Sequence, residues 1–259
     1  MKHFNAVFLR HAVAPCVAAF ALLTGAASAQ IPSADKSTTG MNSAMIKFFG
    51  ENTNFICKAD ARLLDKKNQE TTDMPMGFQM LGDKMRMDIN MAKVKSKDMS
   101  PQFAAMMHSM GMDEMITILL PQKQTVLSIY PGLKSYAESP MTKDEIDATA
   151  YTYTVDKKRL GKETIDGHPC EKNDIILTDS RGAKQHAILW NASDMNNFPV
   201  QMQIPAPDST LVMRFTDVKL GRPDESHFQA PEGMTKFESI VSLISDAAAK
   251  RTGEQVPKQ

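Results

Sequence analysis

Cysteine is scarce in this 259-residue chain, with three residues, and so are tryptophan, with one, and tyrosine, with four. No C-x-x-C occurs, which removes the usual dithiol redox centre. An excess of one charge is also missing: 30 Lys and Arg stand against 30 Asp and Glu. Nothing therefore points to a field that would neutralise nucleic-acid phosphates. No run reaches the roughly 18 apolar residues of a membrane-spanning helix. G-x-S-x-G, H-E-x-x-H, Walker and G-x-G-x-x-G patterns are all absent, so no nucleophile, zinc or phosphate signature is present. The sequence is read as that of a non-enzymatic protein without a cofactor.

The first 29 residues read as a cleaved signal peptide. Lys2, His3 and Arg10 are followed by the apolar run Ala12–Thr24, and Ala27-Ser28-Ala29 supplies the small-x-small site before Gln30. Cys16 sits inside the run, which argues against lipidation. Cleavage removes Lys2 and Arg10 and leaves 28 basic against 30 acidic residues. The mature chain keeps Cys57 and Cys170, an even count that allows one disulfide in an oxidising compartment; two buried free thiols are the plainer alternative.

Residues 30–44 read as a flexible leader, 45–235 as a single domain, and 236–259 as a C-terminal helix and tail. Met41 to Gly50 suggests a short helix. Period-two alternation then begins: Phe55, Cys57, Ala59, Ala61 and Leu63 share a strand face. Met74, Met76, Phe78 and Met80 alternate with polar or small residues, as do Met85, Met87, Ile89 and Met91, around a turn at Leu81–Lys84. This is a hairpin with one apolar and one polar face, and Pro75 places its start at an edge or bulge. A second hairpin joins Ile116–Leu120 to Thr125–Tyr130.

Between the hairpins, Ser100-Pro101 starts a helix. Its apolar stripe is Phe103, Met106, Met107 and Met110, and Gly111 ends it. Further strands read at Tyr151–Leu160, Glu171–Thr178, Gln185–Asn191, Pro199–Ile204 and Leu211–Leu220, with turns at Asp166-Gly167, Asp179–Gly182 and Ala206–Asp208. A terminal helix is read over Thr235–Lys250, striped by Phe237, Ile240, Val241, Ile244 and Ala248. About ten strands with no strand–helix rhythm indicate a mainly-β (α+β) fold: a large curved antiparallel sheet forming a half-barrel, with a few helices covering its concave side. Such a concavity is where a small apolar ligand would lie.

The chain carries 20 methionines, of which twelve fall between Met74 and Met115. Unbranched thioethers adapt to ligands of irregular shape and are common at promiscuous binding surfaces. They are equally good core residues. A candidate ligand-binding set follows: Met76, Phe78, Met80, Met85, Met87, Ile89, Phe103, Met106, Met107 and Met110. Thioethers also suit Cu(I), and Met106-Met107-His108-x-Met110-x-Met112 is the stretch that raises it. Against copper, the helical stripe already accounts for Met106, Met107 and Met110. His108, His168, His186 and His227 are scattered singly, with His186 expected to be partly buried beside Ile188 and Trp190. Asp144, Glu145 and Asp147 read as a solvated stretch. Asn191-Ala192-Ser193 is a glycosylation sequon by pattern alone.

Leu160–Cys170 (LGKETIDGHPC), Ile129–Tyr136 (IYPGLKSY), Trp190 with Phe198–Met202, and Phe228–Gly233 together resemble an uncharacterised family of exported bacterial proteins. That family is in turn similar to the periplasmic lipoprotein carriers of the LolA and LppX type. The resemblance spans roughly residues 45–237 and implies an eleven-stranded half-barrel holding helices in its concave side. With the signal peptide and the balanced charge, the expectation is a periplasmic monomer that shelters an acyl chain or the lipid of a lipid-modified protein, with no nucleic acid among its partners and transient contact with envelope proteins. An envelope structural or interaction module with a filled core is the alternative, and a Met-rich Cu(I) binder a further one.

Overall fold

The computed structural model describes residues 46–252. The expected signal peptide, the expected leader, the first residues of the helix expected from Met41 and the expected C-terminal tail lie outside the described residues. Thirteen strands follow in order: β1 (Asn54–Asp65), β2 (Glu70–Leu81), β3 (Lys84–Asn90), β4 (Lys95–Ser96), β5 (Glu114–Leu120), β6 (Thr125–Tyr130), β7 (Ser135–Pro140), β8 (Tyr153–Ile165), β9 (His168–Asp179), β10 (Lys184–Ala192), β11 (Phe198–Pro205), β12 (Ser209–Leu220) and β13 (Thr235–Phe237). Helices are few: α1 (Pro101–Ser109), α2 (Lys143–Ala150), α3 (Ile240–Thr252) and short 3-10 turns. The strands hydrogen-bond in the order β13-β7-β6-β5-β3-β2-β1-β12-β11-β10-β9-β8, with β4 attached to β2 alone. The fold is mainly β, built on one large unclosed antiparallel sheet, as the alternation predicts. β13 pairs with β7 in parallel.

Chain contacts divide into two compact units. One comprises residues 53–61, 71–141 and 216–252. Its β2–β3 hairpin turns at Gly82, whose φ of +64° suits the first position of a two-residue turn. Pro75 lies inside β2 rather than at its start. It falls between the stretch of β2 paired with β4 (Thr72, Asp73) and the stretch paired with β3 (Met76 to Leu81), opposite the 3-10 turn Met91–Lys93 where the neighbouring chain leaves the sheet.

The connections β5–β6 and β6–β7 use one device twice. A Pro-led 3-10 turn (Pro121–Lys123, Pro131–Leu133) is closed by a left-handed residue, Gln124 or Lys134. Sequence alternation implies one wet face for β6, but Leu127, Ser128, Ile129 and Tyr130 are all buried. A second core explains this. Leu81, Ile118, Leu120, Leu127 and Ile129 are covered by Phe228, with Ala230 and Met234 packed alongside, so a segment downstream of the last long strand caps the face expected to meet water.

The terminal helix starts later than expected. Thr235–Phe237 forms β13, and α3 begins at Ile240. Its buried residues are Leu243 and Ile244, while Val241 is 57% exposed, which corrects the expected stripe.

The other unit comprises residues 46–52, 62–70 and 142–215. Phe49, Phe198 and Phe215 form an aromatic cluster with ring centroids 5.3–5.9 Å apart. The β8–β9 hairpin turns at Asp166-Gly167, φ +50° and +85°, as the Asp-Gly pair predicts. The acidic stretch after Met141 is the helix α2, and Glu145, expected to be solvated, is buried. Thr142 accepts from the Glu145 amide at 3.3 Å, and Glu145 returns a bond from the Thr142 amide at 2.6 Å, a capping box. Its T-x-x-E signature was there to be read.

Candidate functional site

In the β2–β3 hairpin, Met76 pairs with Ile89, Phe78 with Met87 and Met80 with Met85. Across β3–β5 the same face continues through Ile89–Met115, Met87–Thr117 and Met85–Leu119. Antiparallel register keeps directly opposed side chains on one face, so the predicted apolar set of the hairpin is brought together. The face has two ends. At the turn end, Phe78, Met80 and Met85 have no exposed area, and Phe78 lies 5.7 Å from Phe55. At the other end, Met87, Ile89 and Met115 are only partly buried, and Tyr130 Oη approaches Met115 Sδ at 3.7 Å.

Helix α1 carries the remaining members of the set. Ser100 accepts from the Phe103 amide at 3.1 Å and Pro101 occupies the first turn, as predicted. Met107 is buried, whereas Phe103, Met106 and Met110 are partly exposed. The helix lies against the Met91–Lys93 turn that ends β3. Gly111 closes it with φ +71°, and Met112 just beyond is 2% exposed.

The end of α1 is fixed by a close approach: a Cβ on Gly132 would stand 2.4 Å from the Gly111 carbonyl oxygen. His108 is exposed and bonds Asp113 at 3.1 Å, holding that carboxyl below the usual aspartate range. Buried Met107 and exposed His108 therefore point to different sides of the helix.

In the other unit, one face carries a polar network that sequence reasoning missed. Trp190 is 3% exposed and donates to Glu163 Oε2 at 2.6 Å, while Lys172 bonds Glu163 Oε1 at 2.8 Å and stands 4.6 Å above the indole. Lys172 and then Trp190 hold the Glu163 carboxyl below its ordinary value. Arg214 grips Asp166 in a fork at 2.6 and 2.8 Å and reaches Gln201 at 2.8 Å. The Arg214 bond likewise depresses the Asp166 carboxyl. The motif Leu160–Cys170 is thus a hairpin whose tip is tied to β12.

Its Cys170, and Cys57 in the other unit, are each buried and carry a free thiol. Desolvation pushes both thiols upward. His186, expected partly buried, is exposed and meets Asp174 at 2.5 Å. Among the described residues no three His, Cys, Asp or Glu side chains converge as for a metal, and no helix is long and apolar enough to cross a membrane.

Several solved structures are similar in fold. A LolA superfamily protein from Nitrosomonas europaea is 8% identical, with a TM-score of 0.37, covering 74% of this chain and 98% of its own. The lipoprotein LppX of Mycobacterium tuberculosis is 10% identical, with a TM-score of 0.37 over 72% of this chain and 95% of its own. LprF from Mycobacterium bovis is 9% identical, with a TM-score of 0.39 over 76% and 98%. No curated protein matches the chain. Residues 62–199, more than half of the sequence, match the family described as a domain of unknown function, DUF4412, and the chain belongs to that family.

Proposed function

We propose that this is a non-enzymatic carrier of the bacterial envelope. It is exported through the cleaved signal peptide of residues 1–29, and as a monomer it shelters an acyl chain or the lipid of a lipid-modified protein. The observation that carries the reading is the two-ended methionine face. Phe78, Met80 and Met85 are sealed, while Met87, Ile89 and Met115 on the same face remain partly open, as do Phe103, Met106 and Met110 on α1.

A hydrocarbon entering at the open end would lie along thioethers that reshape around it. Burial of about ten methylenes is worth about 8 kcal/mol at about 0.8 kcal/mol each, before the entropic cost of binding. Helix α1 serves as the lid, pivoting at Gly111, where its end is held by Gly132. The experiment is uptake of a fluorescent fatty acid by the purified protein, with Met87→Asp and Met110→Asp as variants. Saturable uptake lost in both variants supports the carrier; uptake absent from the parent protein opposes it.

The zero exposure of Phe78, Met80 and Met85 favours a second reading, an envelope interaction module with a filled core. The two readings differ at the open end, where a filled core predicts no ligand at all.

A further inference from the structure

Strand β8 ends the strand order of the sheet, and its outer edge has no strand partner among the described residues. It runs for 13 residues, and nearly all of them are exposed, including Val155 at 61% and Leu160 at 45%. About half the N–H and C=O groups of such an edge point away from its single neighbour and offer a template for another strand. The centre of the edge is mainly basic, with Lys157, Lys158, Arg159 and Lys162 against one acid, Asp156. Glu171 takes Lys157 and Arg159 at 3.2 and 3.3 Å. Lys158 and Lys162 form no ion pair among the described residues.

Two copies of β8 laid antiparallel about Lys158 would set Lys157 against Arg159 and Lys158 against itself. Like charges directly opposite are destabilising, so a second copy is disfavoured in that register. A strand with carboxylates at its centre meets those same cations favourably, and apolar side chains beside Val155 and Leu160 add contact. The bulge between Arg159 and Gly161, where Gly161 takes φ +155°, limits the straight run available to residues 153–159.

We propose that the outer edge of β8 is a strand-addition site for an extended acidic segment of a partner protein, held by main-chain hydrogen bonds along residues 153–159 and selected by Lys158 and Lys162. It is independent of the lipophilic site, which lies on β2, β3, β5 and α1.

The probe is a capped peptide of about ten residues alternating Val or Thr with Glu at its central positions. It is compared with the same peptide carrying Lys for Glu, and with one N-methylated at alternate amides. Binding is followed by fluorescence anisotropy, and amide exchange is read along β8. The site predicts saturable, salt-sensitive binding of the acidic peptide alone. It also predicts slowed exchange confined to residues 153–159, loss on N-methylation, and about tenfold weakening in Lys158→Glu/Lys162→Glu. Equal binding of the basic or N-methylated peptide, no change in β8 exchange, or sedimentation as a dimer lost in a Val155→Pro variant each overturns it. Fatty-acid uptake measured on the same variants keeps this outcome separate from that of the carrier.

Discussion

Gly132 and Gly111 meet backbone to backbone, so closely that a methyl group on Gly132 would overlap the Gly111 carbonyl oxygen at 2.4 Å. The turn between β6 and β7 thereby sets where α1 ends. Gly132→Ala must displace main chain rather than a flexible side chain, and the expected loss is about 1–3 kcal/mol of stability. Urea unfolding checks this. Gly50→Ala is the comparison, because a Cβ there meets nothing within 4 Å and only its positive φ of +59° is strained. A smaller loss at Gly132 than at Gly50 would show that the contact does not constrain α1.

The two ends of the methionine face should respond differently to truncation. Met80→Ala and Met85→Ala remove fully buried side chains and are expected to cost about 2–5 kcal/mol each. Met106→Ala and Met110→Ala remove partly exposed ones and are expected to cost under about 1 kcal/mol, while weakening fatty-acid uptake. Chemical denaturation and uptake, measured on the same four variants, separate packing from binding.

Trp190, the only tryptophan in the chain, reports on its own network. The Glu163 carboxylate accepts from the indole and from Lys172, and these bonds lower its pKa. As pH falls through that depressed value the carboxyl protonates and the charge-assisted bonds are lost. Trp190 fluorescence is therefore expected to titrate with a midpoint below the ordinary glutamate value of about 4.3. Glu163→Gln should abolish the transition.

Asp166 gives a stability counterpart. Its carboxyl is depressed chiefly by the Arg214 bond, so the pair's contribution is present in full above the ordinary aspartate value and is lost as pH falls through the lower folded one. Stability measured from about pH 5 to about pH 2 should decline less steeply in Asp166→Asn than in the parent chain. Identical slopes would mean that Arg214 does not hold the hairpin tip in solution.

Strand positions and turns were largely legible because their signals are local. Asp166-Gly167 fixed the long hairpin, Ser100-Pro101 the start of α1, and period-two alternation gave β1, β2, β3 and β5 within a few residues. What escaped depends on distant partners. β6 looked one-sided because Phe228, about a hundred positions downstream in the chain, supplies the cover for Leu127 and Ile129. Thr235–Phe237 read as helix because its pairing with Ser135–Ala137 is non-local. The hairpin half of the methionine set shares a face by register alone. Its helical half could be assigned a stripe but no docking surface, and Met115, which completes the face, was not singled out. The Trp190–Glu163 and Arg214–Asp166 pairs join residues 27 and 48 positions apart, beyond any motif window.

Buried thiols with raised pKa react slowly as nucleophiles. Iodoacetamide is therefore expected to leave Cys57 and Cys170 unmodified in the folded protein and to label both after denaturation without reductant. Recovery of a linked Cys57–Cys170 peptide from exported protein would contradict the free-thiol state.

Native mass spectrometry of the protein recovered from the envelope tests the carrier most directly. The account predicts a bound species with the mass of a fatty acid or other acyl lipid, displaced by added fatty acid and missing from Met87→Asp. A bare polypeptide mass, from a protein that takes up no fatty acid afterwards, would contradict it and leave the methionine face as packing alone.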